Sequence, residues 1–114
     1  MSDDLARRAV ACRHWRWLPG MRAVGRRRMP AAWFRVEEYT QMVGEWRDAV
    51  PDLSDPATVG ALLALVREAG AYIRHLSMLP MGCTVNVAWP DGRICDYRRE
   101  TLAEALVAAL EAAP

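Results

Sequence analysis

The segment Trp89-Pro90-Asp91-Gly92-Arg93 restricts the fold of this chain more than any other. Pro90 presets φ for the first corner of a type I turn, Asp91 suits the second, and Gly92 tolerates the left-handed conformation that closes such a loop. With that turn in place Trp89 pairs with Arg93, Val87 with Cys95 and Val85 with Tyr97, which defines a hairpin over residues 83–98. The two-residue period then puts Cys83, Val85, Val87, Trp89, Cys95 and Tyr97 on one face, and Thr84, Asn86, Asp96 and Arg98 on the other, with Ala88 and Ile94 mixed in. One face is apolar and needs a cover. In this register Cys83 lies four residues from the partner of Cys95, about 13 Å at strand rise, so the two thiols cannot bond to each other.

The cover comes from helices. Residues 3–12 read as a short helix with Ser2 as cap, acids in the first turn, and Leu5, Ala9 and Cys12 along one face. Pro19-Gly20 breaks the chain, after which Met21, Ala23 and Val24 can begin a strand, Gly25 can turn it, and Trp33-Phe34 can sit in the returning one. From Val36 the residues Tyr39, Met42, Val43, Trp46 and Val50 recur at helical spacing opposite Glu37, Glu38, Gln41, Glu45 and Asp48, which predicts an amphipathic helix interrupted by Gly44. Ser54 or Asp55 can cap the next helix, with Pro56 in its first turn, Val59, Leu62, Leu63, Leu65 and Val66 as its buried stripe, and Gly70 as its stop. Residues 71–82 show no clean period and fit either a loop with an apolar anchor or an extra helical turn. Thr101-Leu102-Ala103-Glu104 is a capping box that opens a last helix whose small, Ala-rich side suits close packing on a sheet.

This order predicts an α+β fold: a small antiparallel sheet, made of the 83–98 hairpin and a second hairpin within residues 21–35, packed against three or four helices. A length of 114 residues fits one globular domain spanning 1–114. No run nears the roughly 18 apolar residues of a membrane span, and the acidic start lacks a secretory n-region, so a cytoplasmic location and no membrane partner are expected.

Charge is distributed unevenly. Residues 1–36 hold nine Arg against two Asp, whereas residues 37–114 hold six Arg against twelve acids. All fifteen basic residues are Arg; a GC-rich genome favours that choice, so Arg usage alone does not signify phosphate recognition.

Residues 12–21 bring together Cys12, His14, Trp15, Trp17, Arg13 and Arg16, the densest chemistry in the chain. Cys12-x-His14 is too tight for a zinc knuckle, and no second close pair joins it from Cys83 or Cys95, so no metal is expected. Cys12 and His14, two positions apart, point in different directions and make a poor nucleophile and base. His75 reads as a hydrogen-bonded structural residue. GxGxxG, P-loop, HExxH and GxSxG motifs are all missing from the sequence. The expectation is therefore a protein with no catalytic residues and no cofactor.

Binding is better supported. Arg13, Arg16, Arg22, Arg26, Arg27 and Arg28 interleave with Trp15 and Trp17, and Arg and Trp both anchor protein interfaces and stack on nucleic-acid bases. Trp15, Arg16, Trp17, Arg26, Arg27 and Arg28 are the candidate binding residues. A bland alternative stands beside this: the indoles close the core and the arginines find partners in the acidic remainder of the chain, within one copy or between two.

Three segments carry a resemblance. They are Cys12-x-His14-Trp15-x-Trp17-x-Pro19-Gly20-Met21; residues 51–69, from Pro51-Asp52-Leu53-Ser54-Asp55-Pro56 through Val66-Arg67-Glu68-Ala69; and residues 101–112, Thr101-x-Ala103-Glu104-Ala105-Leu106 onward. On them the chain resembles a family of small uncharacterised proteins encoded by phages and prophages. That resemblance covers a little over a third of the chain and implies a phage setting, in which such proteins are often accessory factors that bind a host protein, including inhibitors of defence systems. Residues 22–44 lie outside it. The functional expectation is a non-enzymatic accessory protein that binds a host or phage protein. Nucleic-acid binding by the same arginines is the alternative, and self-association of a structural protein, basic first third against acidic remainder, is the third reading.

Overall fold

The computed structural model describes residues 3–25, 32–38 and 46–114. In chain order its elements are α1 (Asp3–Ala11), β1 (Arg22–Val24), β2 (Trp33–Arg35), β3 (Val50–Pro51), α2 (Pro56–Glu68), β4 (Tyr72–Leu79), β5 (Gly82–Ala88), β6 (Ile94–Arg99) and α3 (Leu102–Ala112). The strands form two antiparallel sheets, in the orders β2-β1-β3 and β4-β5-β6. The architecture is α+β, as the sequence predicts, but its strands divide between two sheets.

The Pro90 turn forms as its residue types require. Gly92 has φ +94, its amide donates to the Trp89 carbonyl at 3.0 Å, and the Trp89 amide donates to the Arg93 carbonyl at 2.8 Å. Val87 stands opposite Cys95 and Val85 opposite Tyr97, the register read from the turn. The apolar face is buried, and within it the Trp89 indole Nε1–H donates to the Tyr97 hydroxyl at 3.1 Å, which satisfies the indole's polar group away from water. Burial of Tyr97 pushes its phenol up from the ordinary value.

Helix α3 supplies the cover. Thr101 caps it through the Glu104 amide and its hydroxyl reaches the Glu104 carboxylate, the reciprocal capping box. Ala105, Leu106, Val107 and Ala109 are inaccessible to solvent, and the small alanines let α3 lie close to β5 and β6 while it also touches α1 and α2. Leu62, Leu65 and Val66 of α2 join the same core, and each such side chain contributes about 1.5–3 kcal/mol by leaving water. At the start of α2 Asp55, rather than Ser54, is the cap, and Pro56 occupies the first turn. Gly70 ends the helix at φ +108.

The second hairpin is also present. Arg22 pairs with Arg35, Ala23 with Phe34 and Val24 with Trp33. The ladder continues at one end through Val36, whose amide donates to the Met21 carbonyl, and at the other through Gly25, whose amide donates to Ala32. Phe34 packs edge-on against Trp46, with ring centroids 4.6 Å apart. Thr58 of α2 ties this sheet to the rest: it is fully buried, and its hydroxyl accepts from the Arg22 amide at 2.8 Å.

Two expectations need correction. Residues 71–82 are neither a loop nor a helical turn, because Tyr72–Leu79 is a full strand, β4, paired along β5. A bulge between Ile73 and His75 shifts the register and breaks the alternation that would have identified it. The helix expected from Val36 to Val50 is not formed at either described end: Val36 extends the β1–β2 ladder and Val50 lies in β3 opposite Val24. Residues 39–45 of that expected helix lie outside the described residues. Both valines are buried, so apolar anchors in non-helical chain imitate helical spacing here.

Candidate functional site

The dense segment after α1 is built into the core. Trp15 and Trp17 are half-buried, packed against the core and against each other edge to face, with centroids 5.3 Å apart and planes at 81°. Met21 is fully buried. Cys12 donates its thiol to the Arg8 carbonyl at 3.3 Å, and burial pushes that thiol up, away from thiolate chemistry. His14 Nε2 lies 3.0 Å from the Pro114 carbonyl. Arg16 is exposed and makes a two-point bond to Glu68 of α2, at 2.6 and 3.2 Å. Of the six candidate binding residues, Trp15, Arg16 and Trp17 are thus together; Arg26, Arg27 and Arg28 lie outside the described residues, in the chain between Gly25 and Ala32.

The acids of the later chain meet the basic first third within one molecule. Arg8 bonds Glu111, Arg16 bonds Glu68, Arg22 lies 3.6 Å from Asp52, and Arg35 bonds Asp55. Exposed pairs of this kind are worth about 0.2–1 kcal/mol each, so they orient more than they stabilise. They also leave fewer guanidinium groups free to meet an outside anion.

The solvent face of the small sheet holds an arrangement the sequence reading missed. Trp33 is 52% exposed on β2, while its neighbour Phe34 turns inward opposite Ala23. The Arg22 guanidinium sits over the Trp33 ring, 4.0 Å from its centroid, and the Arg35 guanidinium is 5.9 Å away. Asp52 and Asp55 in turn hold the two arginines, and Arg35 also donates to the Gly20 carbonyl at 3.0 Å. An indole is therefore presented to solvent between two positioned cations. The signal was in the alternation: pairing Arg22 with Arg35 sends Ala23 and Phe34 inward together and forces Trp33 onto the arginine face.

The outward face of β4–β5–β6 holds an open groove of about 820 Å³. Asn86 donates to Asp96 at 2.6 Å on its floor, and Arg98 and His75 stand nearby. Arg74, Arg98 and Arg99 line it together with Asp96 and Glu100, so the groove has no single sign of charge. His75 is exposed on this strand, opposite Asn86, rather than in an apolar loop. Among the described residues no group of three or more His, Cys, Asp or Glu is placed to hold a metal ion, the three cysteines are free thiols, and no helix is long and apolar enough to cross a membrane. No protein-family model, curated protein or solved structure matches the chain.

Proposed function

We propose that the chain is a non-enzymatic binding domain whose partner is a protein, and that its contact surface is the outward face of β1–β2 centred on Trp33. The observation that carries this reading is the exposed indole held between Arg22 and Arg35 on a hydrogen-bonded sheet. Trp and Arg are the residues that dominate binding energy at protein interfaces, and a positioned side chain loses little entropy on binding. The Arg26-Arg27-Arg28 run falls in the sequence between the two strands of this face, which favours a partner with acidic groups around an apolar pocket. The ion pairs of Arg8, Arg16, Arg22 and Arg35 with acids of the same chain favour a protein over a phosphate backbone. The resemblance to phage and prophage proteins supports a setting in the cytoplasm of a bacterial host, where such a domain would act as an accessory factor, inhibition of a defence system being one role of that kind.

The test is capture from a bacterial host lysate on the immobilised chain, with and without nuclease, comparing the native sequence with Trp33→Ala. A protein retained by the native chain, insensitive to nuclease and reduced at least tenfold by Trp33→Ala, is the expected result. Equal retention by the variant would remove the assigned face. Loss on nuclease treatment, with salt-sensitive shifts of short single-stranded DNA or RNA, would establish the nucleic-acid alternative instead.

A further inference from the structure

Exposed sheet edges are hazards that proteins ordinarily blunt by shortness, charge, proline or a bulge. In this molecule β2 and β3 have three and two residues, and β6 carries Asp96, Arg98 and Arg99. β4 is different. It has eight residues, lies at the end of its sheet with β5 as its partner strand, and no described backbone group bonds its other edge. From His75 to Leu79 it holds no Asp, Glu, Lys, Arg or Pro, and Met78 and Leu79 stand more than 60% exposed. At strand rise the regular part from His75 to Leu79 is about 17 Å long.

We propose that β4 is a self-association edge: two copies of the chain pair β4 with β4 antiparallel, joining their three-stranded sheets into one of six strands with both helical layers on the same side. This inference stands independently of the Trp33 surface. The second copy is the occupant because it brings an edge of the same length, and antiparallel pairing keeps the strand's single formal charge, Arg74, away from its counterpart. A two-fold axis through Leu76 or Ser77 sets Arg74 opposite Met78 or Pro80, so the strand's one guanidinium does not face its counterpart, as it would in parallel pairing. The Ser77-centred register sets His75 beside Leu79 of the second copy and Leu76 beside its Met78, covering the exposed apolar side chains. The basic and acidic regions first expected to drive self-association take no part in this geometry. A strand-edge contact falls in the small class of interfaces, below about 1,200 Å², so reversible association in the micromolar range is expected.

Sedimentation from 5 to 500 µM tests this, with a reversible monomer–dimer equilibrium as the expected result. Combining His75→Lys with Leu79→Lys puts like charges opposite each other across the edge and is expected to raise the dissociation constant at least tenfold. Ile94→Lys, on the far edge, is expected to leave it unchanged. In the native chain, amide exchange along β4 is expected to slow as concentration rises. A monomer over the whole range, a dimer indifferent to the paired lysines, a dimer dissolved by Ile94→Lys, or β4 amides exchanging equally at both concentrations would each overturn the proposal.

Discussion

A single carboxylate oxygen, Oδ2 of Asp55, accepts from the Thr58 amide at 3.0 Å, from the Thr58 hydroxyl at 2.8 Å and from Arg35. It caps α2 and anchors β2 at the same time. The Arg35 guanidinium, helped by the Thr58 hydroxyl and amide and opposed by burial, holds the Asp55 carboxyl below the ordinary carboxylate value. Because the folded pKa is depressed, the stabilisation is fully present above the unfolded value of about 3.9, and it is lost as pH falls through the folded pKa. Asp55→Asn keeps a good cap but removes the titration, so urea melts from pH 7 downward should show a shallower loss of stability below about pH 4 than the native chain. Equal acid limbs would count against this role. Asp55→Ala removes the cap as well and should lower stability by about 1–2 kcal/mol at pH 7. Trp33 depends on the same residue at one remove, since Asp55 steadies the Arg35 beside it.

Gly70 decides how α2 meets the hairpin. With φ +108, its place would put an added Cβ 2.8 Å from Cγ of Pro90, a ring atom of the turn that sets the β5–β6 register. Gly60 lies inside α2 with open space around its Cα. Gly70→Ala should therefore destabilise by on the order of 1–3 kcal/mol, while Gly60→Ala should stabilise by about 0.5–1 kcal/mol, and urea midpoints would check both. A stabilising Gly70→Ala would contradict the contact. These elements also show what could be read in the sequence and why. Hairpin 83–98 was legible down to its pairs because turn chemistry and alternation agree; α2 and α3 were legible from their caps. Strand β4 was not, since the bulge at Ile73/His75 erases its period. Residues 36–50 misled because burial in a ladder and in a short strand can fall at helical spacing. The Arg–Trp cluster drew notice to Trp15 and Trp17, which pack on the core, whereas exposed Trp33 needed the register of β1–β2 to be found.

Among the described residues the two sheets share no hydrogen-bonded ladder, and helices join them. α3 packs on β5 and β6, on α2 and on α1, α1 packs on β3, and Thr58 of α2 binds the Arg22 amide of β1. One buried cluster therefore runs from Met21 and Ala23 through Leu62 and Leu106 to Val85 and Val87. Such a layout predicts a single cooperative transition, because α3 covers β5 and β6 and also packs on α1 and α2, the helices that reach the other sheet. Leu106→Ala, at a fully buried position in the middle of α3, should lower stability by about 2–5 kcal/mol. If the core is shared, amides of both sheets feel that loss equally: exchange at Val36, bonded to Met21, and at Trp89, bonded to Arg93, should accelerate by a common factor of at least about 30 in the globally limited regime. Acceleration at Trp89 with an unchanged rate at Val36 would mean that the Trp33-bearing sheet stands on its own. The common factor would instead mean that the Trp33-bearing sheet unfolds together with α3.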